Sequence, residues 1–538
     1  MKRSFLLPLM LVALLLPPLS LLLTGADDAL KTPVDSSPLH SHDASTSPAA
    51  HGYDHYPAAD AEIVVPPPPQ FEHLVATVIF SGARFGELAP CECRSLQYGG
   101  VDREATLLRE FKREGAPQIR IDAGGFSAPL FTAHEHLKAE YVLRALARLD
   151  YRLVNAGWSD LALGLPMLRE QSQAQGIELL SANIIDTETS KPAFTTFKTI
   201  DLPGDPPARL LLVPITDVYP KDEFNTEEFY TENIRGKVKF LDPAETARQI
   251  IQTQRREGDI VVVLLFSDPS RSPIIMENMP PVDLVMNGFH YLGQPRESHI
   301  GPNRMVTAGY RGRFFQEMAI TREAAGKAAR MAALTTVPVP SGYAREANLT
   351  QLLDEYTSET IQRYRGKNPA YLAEYKPPEA YQPSNRYVGV RMCANCHEQE
   401  HTSWQATQHA HALETLREKK RHYDPDCLKC HTVGYMQGGF YNLEKTPHLG
   451  DVQCEVCHGP GYLHTDERQR MLLQLALSRK TNQPGVQTYK HRMRTAFDES
   501  FCVQCHDVDN DSHFDFMQDI KSISHQKTAQ EDPAQDRP

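Results

Sequence analysis

Four absences narrow the reading of this chain. It has no excess of basic residues: 56 Lys and Arg stand against 68 Asp and Glu, a net charge of −12. That balance argues against nucleic acid as a partner. It has no second long apolar run. The one such run is Phe5 to Leu23 in MKRSFLLPLMLVALLLPPLSLLLTG, so everything downstream reads as soluble. It has no cysteine where that run ends, which removes a bacterial lipoprotein reading. Last, apolar periodicity is poor from 390 to 530, so something other than side-chain packing must organise that segment.

The first 26 residues read as an export signal. Lys2 and Arg3 precede the apolar run, and Thr24-Gly25-Ala26 supplies small residues for cleavage. The run is also long enough for an uncleaved membrane tether. Pro17-Pro18 and the cleavage site favour removal. A periplasmic or otherwise extracytoplasmic location is expected. Residues 27–71 form a Pro- and His-rich stretch ending in VVPPPPQ, which cannot build a core and is expected to be a disordered linker. His40, His42, His51 and His55 lie in it.

Residues 72–345 alternate strand and helix signals. HLVATVIF, APQIRID, YRLVN, IELLSANIID, ARLLLVPIT, DIVVVLLF and VDLVMNGF read as strands. REATLLREFKREG and AEYVLRALARLDY read as amphipathic helices. An α/β domain with largely parallel sheets is expected. Residues 346–389 hold a polar helix candidate and a Pro- and Tyr-rich linker. Residues 527–538 read as a disordered tail.

Composition changes sharply after 390. Eight of the 10 cysteines and 13 of the 22 histidines lie between 390 and 530. Four Cys-x-x-Cys-His motifs account for all eight: Cys393/Cys396, Cys427/Cys430, Cys454/Cys457 and Cys502/Cys505. This is the attachment signature of c-type haem. The thiols form thioethers, and His397, His431, His458 and His506 are the proximal iron ligands. Zinc ribbons also use Cys-x-x-Cys pairs, but they do not require a His after every pair. Four covalently bound haem c groups are therefore expected, dense enough to form the core of residues 390–526 and to lie within electron-transfer distance. Nine further histidines there are His401, His409, His411, His422, His448, His464, His491, His513 and His525. Methionine ligands are available too (Met392, Met436, Met471, Met493, Met517), but the surplus of histidine favours bis-His iron.

SWQATQHAHA, EKTPHLGDVQCEVCHGPGYLH and FCVQCHDVDNDSHFDF resemble the cytochrome c-554-type multihaem cytochromes. The resemblance implies stacked haem pairs, mostly bis-His iron and sometimes one five-coordinate haem. It points to His409 and His464 as distal ligands, with His525 and His448 as weaker candidates and His411 as a substitute for His409.

The strand–turn segments of 72–345 resemble the metallophosphoesterase domain of exported 5′-nucleotidases, which implies an α/β/β/α sandwich. LSANIID, IDAGG, NAGWSDLALG and LLFSDPS carry the likeness. That family holds two catalytic metals. Here Ala83, Phe85, Gly125, Trp158, Ser159, Asp268, Phe289 and Tyr291 stand where the resemblance implies ligands. Asn183 is retained, and His290 is one place out of register. Phosphatase activity is therefore not expected, and no catalytic residue is assigned. Cys91 and Cys93 have no firm role.

The expected protein is multidomain, with this sandwich followed by a mostly helical, haem-cored cytochrome. Its expected function is an exported tetrahaem carrier, more an electron-transfer protein than an enzyme. Redox proteins such as other cytochromes, or a quinol-linked membrane complex, are the expected partners. The alternatives are an oxidoreductase of small nitrogen compounds at a five-coordinate haem, and a filament-forming cytochrome.

Overall fold

The computed structural model describes residues 64–90, 98–128, 133–217, 233–289, 294–365, 385–481, 493–507, 510–511 and 513–525. The export signal, most of the Pro/His-rich stretch, Cys91, Cys93, His290, Tyr291, His491 and the C-terminal tail lie outside them. Among the described residues no helix is long and apolar enough to cross a membrane.

Two six-stranded sheets dominate the N-terminal lobe. In spatial order the first runs Ala329–Pro338, Phe314–Arg322, Leu74–Ser81, Gln118–Asp122, Leu153–Asn155, Glu178–Leu180. The second runs Glu297–Ile300, Asn303–Thr307, Leu284–Asn287, Ile260–Phe266, Ala208–Thr216, Lys198–Leu202. The expectation of largely parallel sheets needs refinement. Adjacent strands are parallel from Leu74–Ser81 through Glu178–Leu180 and from Asn303–Thr307 through Ala208–Thr216. The outer strands join antiparallel.

Side-chain alternation makes the layers. Successive strand residues point to opposite faces. Val78, Phe80, Leu210, Leu212, Val262, Leu264 and Met318 share the core between the sheets. Ile79 and Val154 face the other way, onto helices Val101–Glu110, Ala133–Arg148 and Leu165–Ala174. Leu211, Val213, Val261, Val263 and Leu265 face helices Pro243–Gln254 and Ser272–Glu277. The result is the four-layered α/β/β/α sandwich.

Helix Ala347–Tyr364 is more than a connector. Leu349 and Leu352 belong to the N-terminal core, whereas Tyr364 packs with Leu413, Leu416, Leu428, Val433 and Phe440. Tyr141 donates to Glu359 (2.9 Å), and Arg144 pairs with Glu355 (2.6 Å). The C-terminal lobe is built of helices from Val390–Ala394 to Phe516–Ile523, short except for the 20-residue Tyr462–Thr481.

Candidate haem centres and the sheet-end site

Each Cys-x-x-Cys-His motif is one helical turn. The His397 N–H donates to Cys393 O (3.0 Å) and the His506 N–H to Cys502 O (2.9 Å). Helix Pro425–His431 contains the second motif and Cys454–His458 the third. Residues three and four apart share a helix face, so two thiols and an imidazole converge on one side.

Cys396 differs from the other motif cysteines in exposure. Seven of the eight motif cysteines are half-buried, but Cys396 is exposed. The reason is local: helix Val390–Ala394 buries none of its residues, and Cys396 follows in the turn beyond its end. Cys396 stands three residues after Cys393 and next to His397.

Hydrogen bonds at the rear of three of the four rings set the imidazole tautomers. His431 Nδ1 donates to Ala412 O (2.6 Å), His458 Nδ1 to Arg494 O (2.5 Å), and His506 Nδ1 to Asp511 Oδ2 (2.8 Å). A carbonyl only accepts, so Nδ1 carries the proton in His431 and His458 and Nε2 is left bare for a metal. His397 Nδ1 lies 4.0 Å from Glu400, beyond hydrogen-bond reach.

Three motif imidazoles face a second imidazole. Ring centroids are 6.3 Å apart for His397 and His464, 6.5 Å for His458 and His525, and 5.9 Å for His506 and His409. Two imidazoles sharing one metal, at roughly 2 Å per bond, have centroids about 6 Å apart. The side chains present thus fit bis-His iron at these three positions. Burial, with His506 and His431 close by, holds His409 below the usual histidine range, which favours its neutral form. Burial, then His458, does the same to His525.

The second motif differs. Among the described residues no imidazole faces the His431 ring. His448, expected as a distal candidate, pairs with no motif imidazole there. Its backbone carbonyl accepts from Gln453 (2.8 Å), and its ring lies against Gly389.

The thiols also come together across motifs. Cys393 adjoins Cys454, Cys430 adjoins Cys505, and Cys457 lies close to Cys502. These neighbours link attachment sites in the order first, third, fourth, second.

At the ends of the two N-terminal sheets, aromatic side chains occupy the centre. Trp158, Phe266 and Phe289 are buried with ring centroids 5.1–5.8 Å apart, and Phe85 lies 5.8 Å from Phe289. A Cβ on Gly125 would approach Phe266 to 2.6 Å, so the packing requires glycine there. Ala83 and Phe85 adopt positive φ, 48° and 47°. Between them Arg84 points inward, 1% exposed, 2.8 Å from Glu104 and 3.6 Å from Asp122. Burial works against its charge, but hydrogen-bonded Glu104 outweighs burial and holds the guanidinium ionised. Sequence reading missed Arg84. The one signal was an Arg between two positions expected to carry ligands. Asn183 accepts from Thr216 N–H (2.9 Å) and donates to Thr216 O and Leu241 O, a structural clasp. Asp160 accepts from the N–H groups of Gly125, Ser127 and Gly157. Two metals held as in the family that the sequence resembles do not fit these residues, so no metal-dependent step is derived.

Residues 392–459 match the family Cytochrome c554 and c-prime. The match spans the first three motifs, and the fourth lies beyond it. Cytochrome c-554 of Nitrosomonas europaea is 37% identical over 91 residues, covering 14% of this chain and 39% of that protein. The c-type cytochrome resemblance therefore holds, with covalent haem c as its cofactor class. The N-terminal part is similar to a 2′,3′-cyclic-nucleotide 2′-phosphodiesterase/3′-nucleotidase of Salmonella typhimurium. Identity is 30% over 211 residues, covering 35% of this chain and 32% of that protein. Among solved structures, the Thermus thermophilus sulfate thiohydrolase SoxB is 17% identical with a TM-score of 0.43, covering 55% of this chain and 62% of that one. The chain spans about a third of the length of the curated relatives it matches.

These relatives correct one expectation. The replaced ligand positions led to a domain without phosphatase activity, and to a carrier rather than an enzyme. Similarity at this level to an enzyme named for phosphoester hydrolysis overturns that exclusion.

Proposed function

We propose that the chain is an exported tetrahaem cytochrome that carries electrons between redox partners. The observation that carries this reading is the set of three imidazole pairs at 5.9–6.5 Å, each containing a motif histidine. Haem supplies one-electron chemistry, and the protein sets each potential through axial ligand and burial. All eight motif cysteines, the exposed Cys396 among them, are the thioether sites. His464, His525 and His409 are the distal ligands of the first, third and fourth centres, and His448 is not used. Thiol adjacency supports an electron path running first, third, fourth, second. The domain limits are 72–345 and 390–526, with helix Ala347–Tyr364 shared by both lobes.

His431 faces no imidazole among the described residues, which favours a five-coordinate second centre. That centre is where the alternative, reduction or oxidation of a small nitrogen compound, would take place. Ferric EPR of the full chain tests both points. Three low-spin signals and one high-spin signal are expected. His464→Ala and His409→Ala should each convert one further centre to high spin. Unchanged low-spin signals in both variants would refute the ligand assignment. Intact mass should exceed the polypeptide by about 2.5 kDa, the weight of four haems joined through these motifs.

Phosphoester hydrolysis at the sheet ends is a second reading, favoured by the nucleotide phosphodiesterase relatives. Its donors would have to lie outside the aromatic cluster. Chelator-sensitive turnover of nucleotide esters by the full chain with added Mn²⁺ supports it, and absence of turnover removes it.

A further inference from the structure

One polar cluster lies between the lobes and serves neither site described above. His134 lies at the start of helix Ala133–Arg148 in the N-terminal lobe. Asp424 caps helix Pro425–His431, which carries the second haem motif, and Asp426 lies in its first turn. One ligand atom from each of the three residues lies within 4.8 Å of the other two.

His134 is 2% exposed, and neither ring nitrogen makes a hydrogen bond. Its Nε2 nevertheless points into the cluster, 3.3 Å from Asp424 Oδ1 and 3.9 Å from Asp426 Oδ2. Its ring is held by Tyr364, whose centroid is 5.6 Å away, and by Tyr356 at 6.5 Å. A buried imidazole with unspent nitrogens is costly unless something uses them. The other charged groups are Glu87, Glu135, Lys138 and Arg421. Lys138 bonds Asp426 (2.7 Å) and Glu135 (3.1 Å), and Arg421 bonds Asp424 (2.9 Å). Four carboxylates against two cations leave two formal negative charges uncompensated. Asp424 and Asp426 are carboxylates, the anionic oxygen donors that a divalent cation takes.

We infer that His134, Asp424 and Asp426 form an interlobe binding site for one divalent cation of the zinc class. One imidazole and two carboxylates, with a solvent position open, is a zinc donor set. The Asp426 side chain is 42% exposed, which gives the ion a way in. Lys138 keeps Glu135 when it gives up Asp426. The ion joins residues 290 positions apart, 424 less 134. It also places positive charge at the N-terminus of the helix that bears Cys427, Cys430 and His431, so it raises the reduction potential of that haem.

The test uses the haem-loaded full chain, stripped with chelator and titrated with Zn²⁺. One zinc per chain beyond the iron is expected in the wild type, with the potential of one haem rising as it binds. His134→Gln and Asp426→Asn should each weaken that binding tenfold or more and abolish the potential change. Iron content and the visible spectrum report folding. Should His134→Gln fail to fold, Asp426→Asn decides, because its side chain is partly exposed. No zinc uptake by the wild type overturns the site. So does zinc that both variants retain with undiminished affinity, because that ion is held elsewhere.

Discussion

The two lobes are stabilised by different means. In the N-terminal lobe the whole of strand Ile260–Phe266 is buried, and three apolar clusters separate four layers. In the C-terminal lobe helices Val390–Ala394, Glu398–Gln405, Glu499–Cys502 and Phe516–Ile523 bury no residue. Among the described residues its single apolar cluster gathers near the second motif and borrows Tyr364 from the connecting helix. Burial of apolar surface at about 25 cal/mol per Å² is what normally offsets chain entropy. The first lobe meets that demand with side chains. On the proposed reading the second meets it with covalent cofactors, and the motif cysteines are then structural as well as redox residues.

The largest expected effect comes from preventing haem attachment. Full-length protein made without haem ligation should keep amide protection across the sheets and lose it across 390–525. Hydrogen exchange measures this, and equal protection in both lobes would break the comparison. Next, Phe266→Ala opens a cavity where Trp158 and Phe289 meet and should cost about 3–5 kcal/mol. Thermal unfolding should show the loss in the N-terminal transition, with the haem spectrum unmoved.

A pH effect sharpens the same contrast. Burial pushes Glu317 up to about 7 from 4.5, and Arg113 only partly opposes it. The folded state thus stays protonated after the unfolded chain has ionised. Its contribution is present below pH 4.5 and is lost as pH rises through about 7. At 1.36 kcal/mol per unit, roughly 3 kcal/mol is at stake. Glu317→Gln should flatten this part of the stability profile between those pH values, and an unchanged slope would contradict it. The smallest effect is a helix cap. Asp242 accepts from the Glu245 N–H (2.7 Å), and Asp242→Ala should lower stability by about 1 kcal/mol.

Much of the fold was legible because its signals are local. Leu74–Ser81 and Ile260–Phe266 are short β-branched runs, and the four haem motifs are contiguous five-residue strings. The antiparallel strands Phe314–Arg322 and Ala329–Pro338 were not singled out. Their FFQEMAITR and ARMAALTTVP sequences lack a clean apolar run; Phe314–Arg322 pairs with Leu74–Ser81 from the start of the domain, and Ala329–Pro338 pairs with Phe314–Arg322. The motif string at Cys393 likewise carried no sign that Cys396 would stand exposed, because exposure depends on what packs over the turn. The exclusion of phosphatase activity went too far because it treated ligand replacement at matched positions as loss of function.

By itself the sequence determined the attachment motifs and which imidazole follows each pair, since chemistry and spacing sit within five residues. It also determined the α/β alternation, which follows from side-chain period. Only the tertiary structure decided which distant histidine faces the first, third and fourth motifs. His464, His525 and His409 stand 67, 67 and 97 positions from their partners, by subtraction of residue numbers. It also brought His134 to Asp424. No local pattern encodes such meetings, because they depend on how separately formed helices pack around one another.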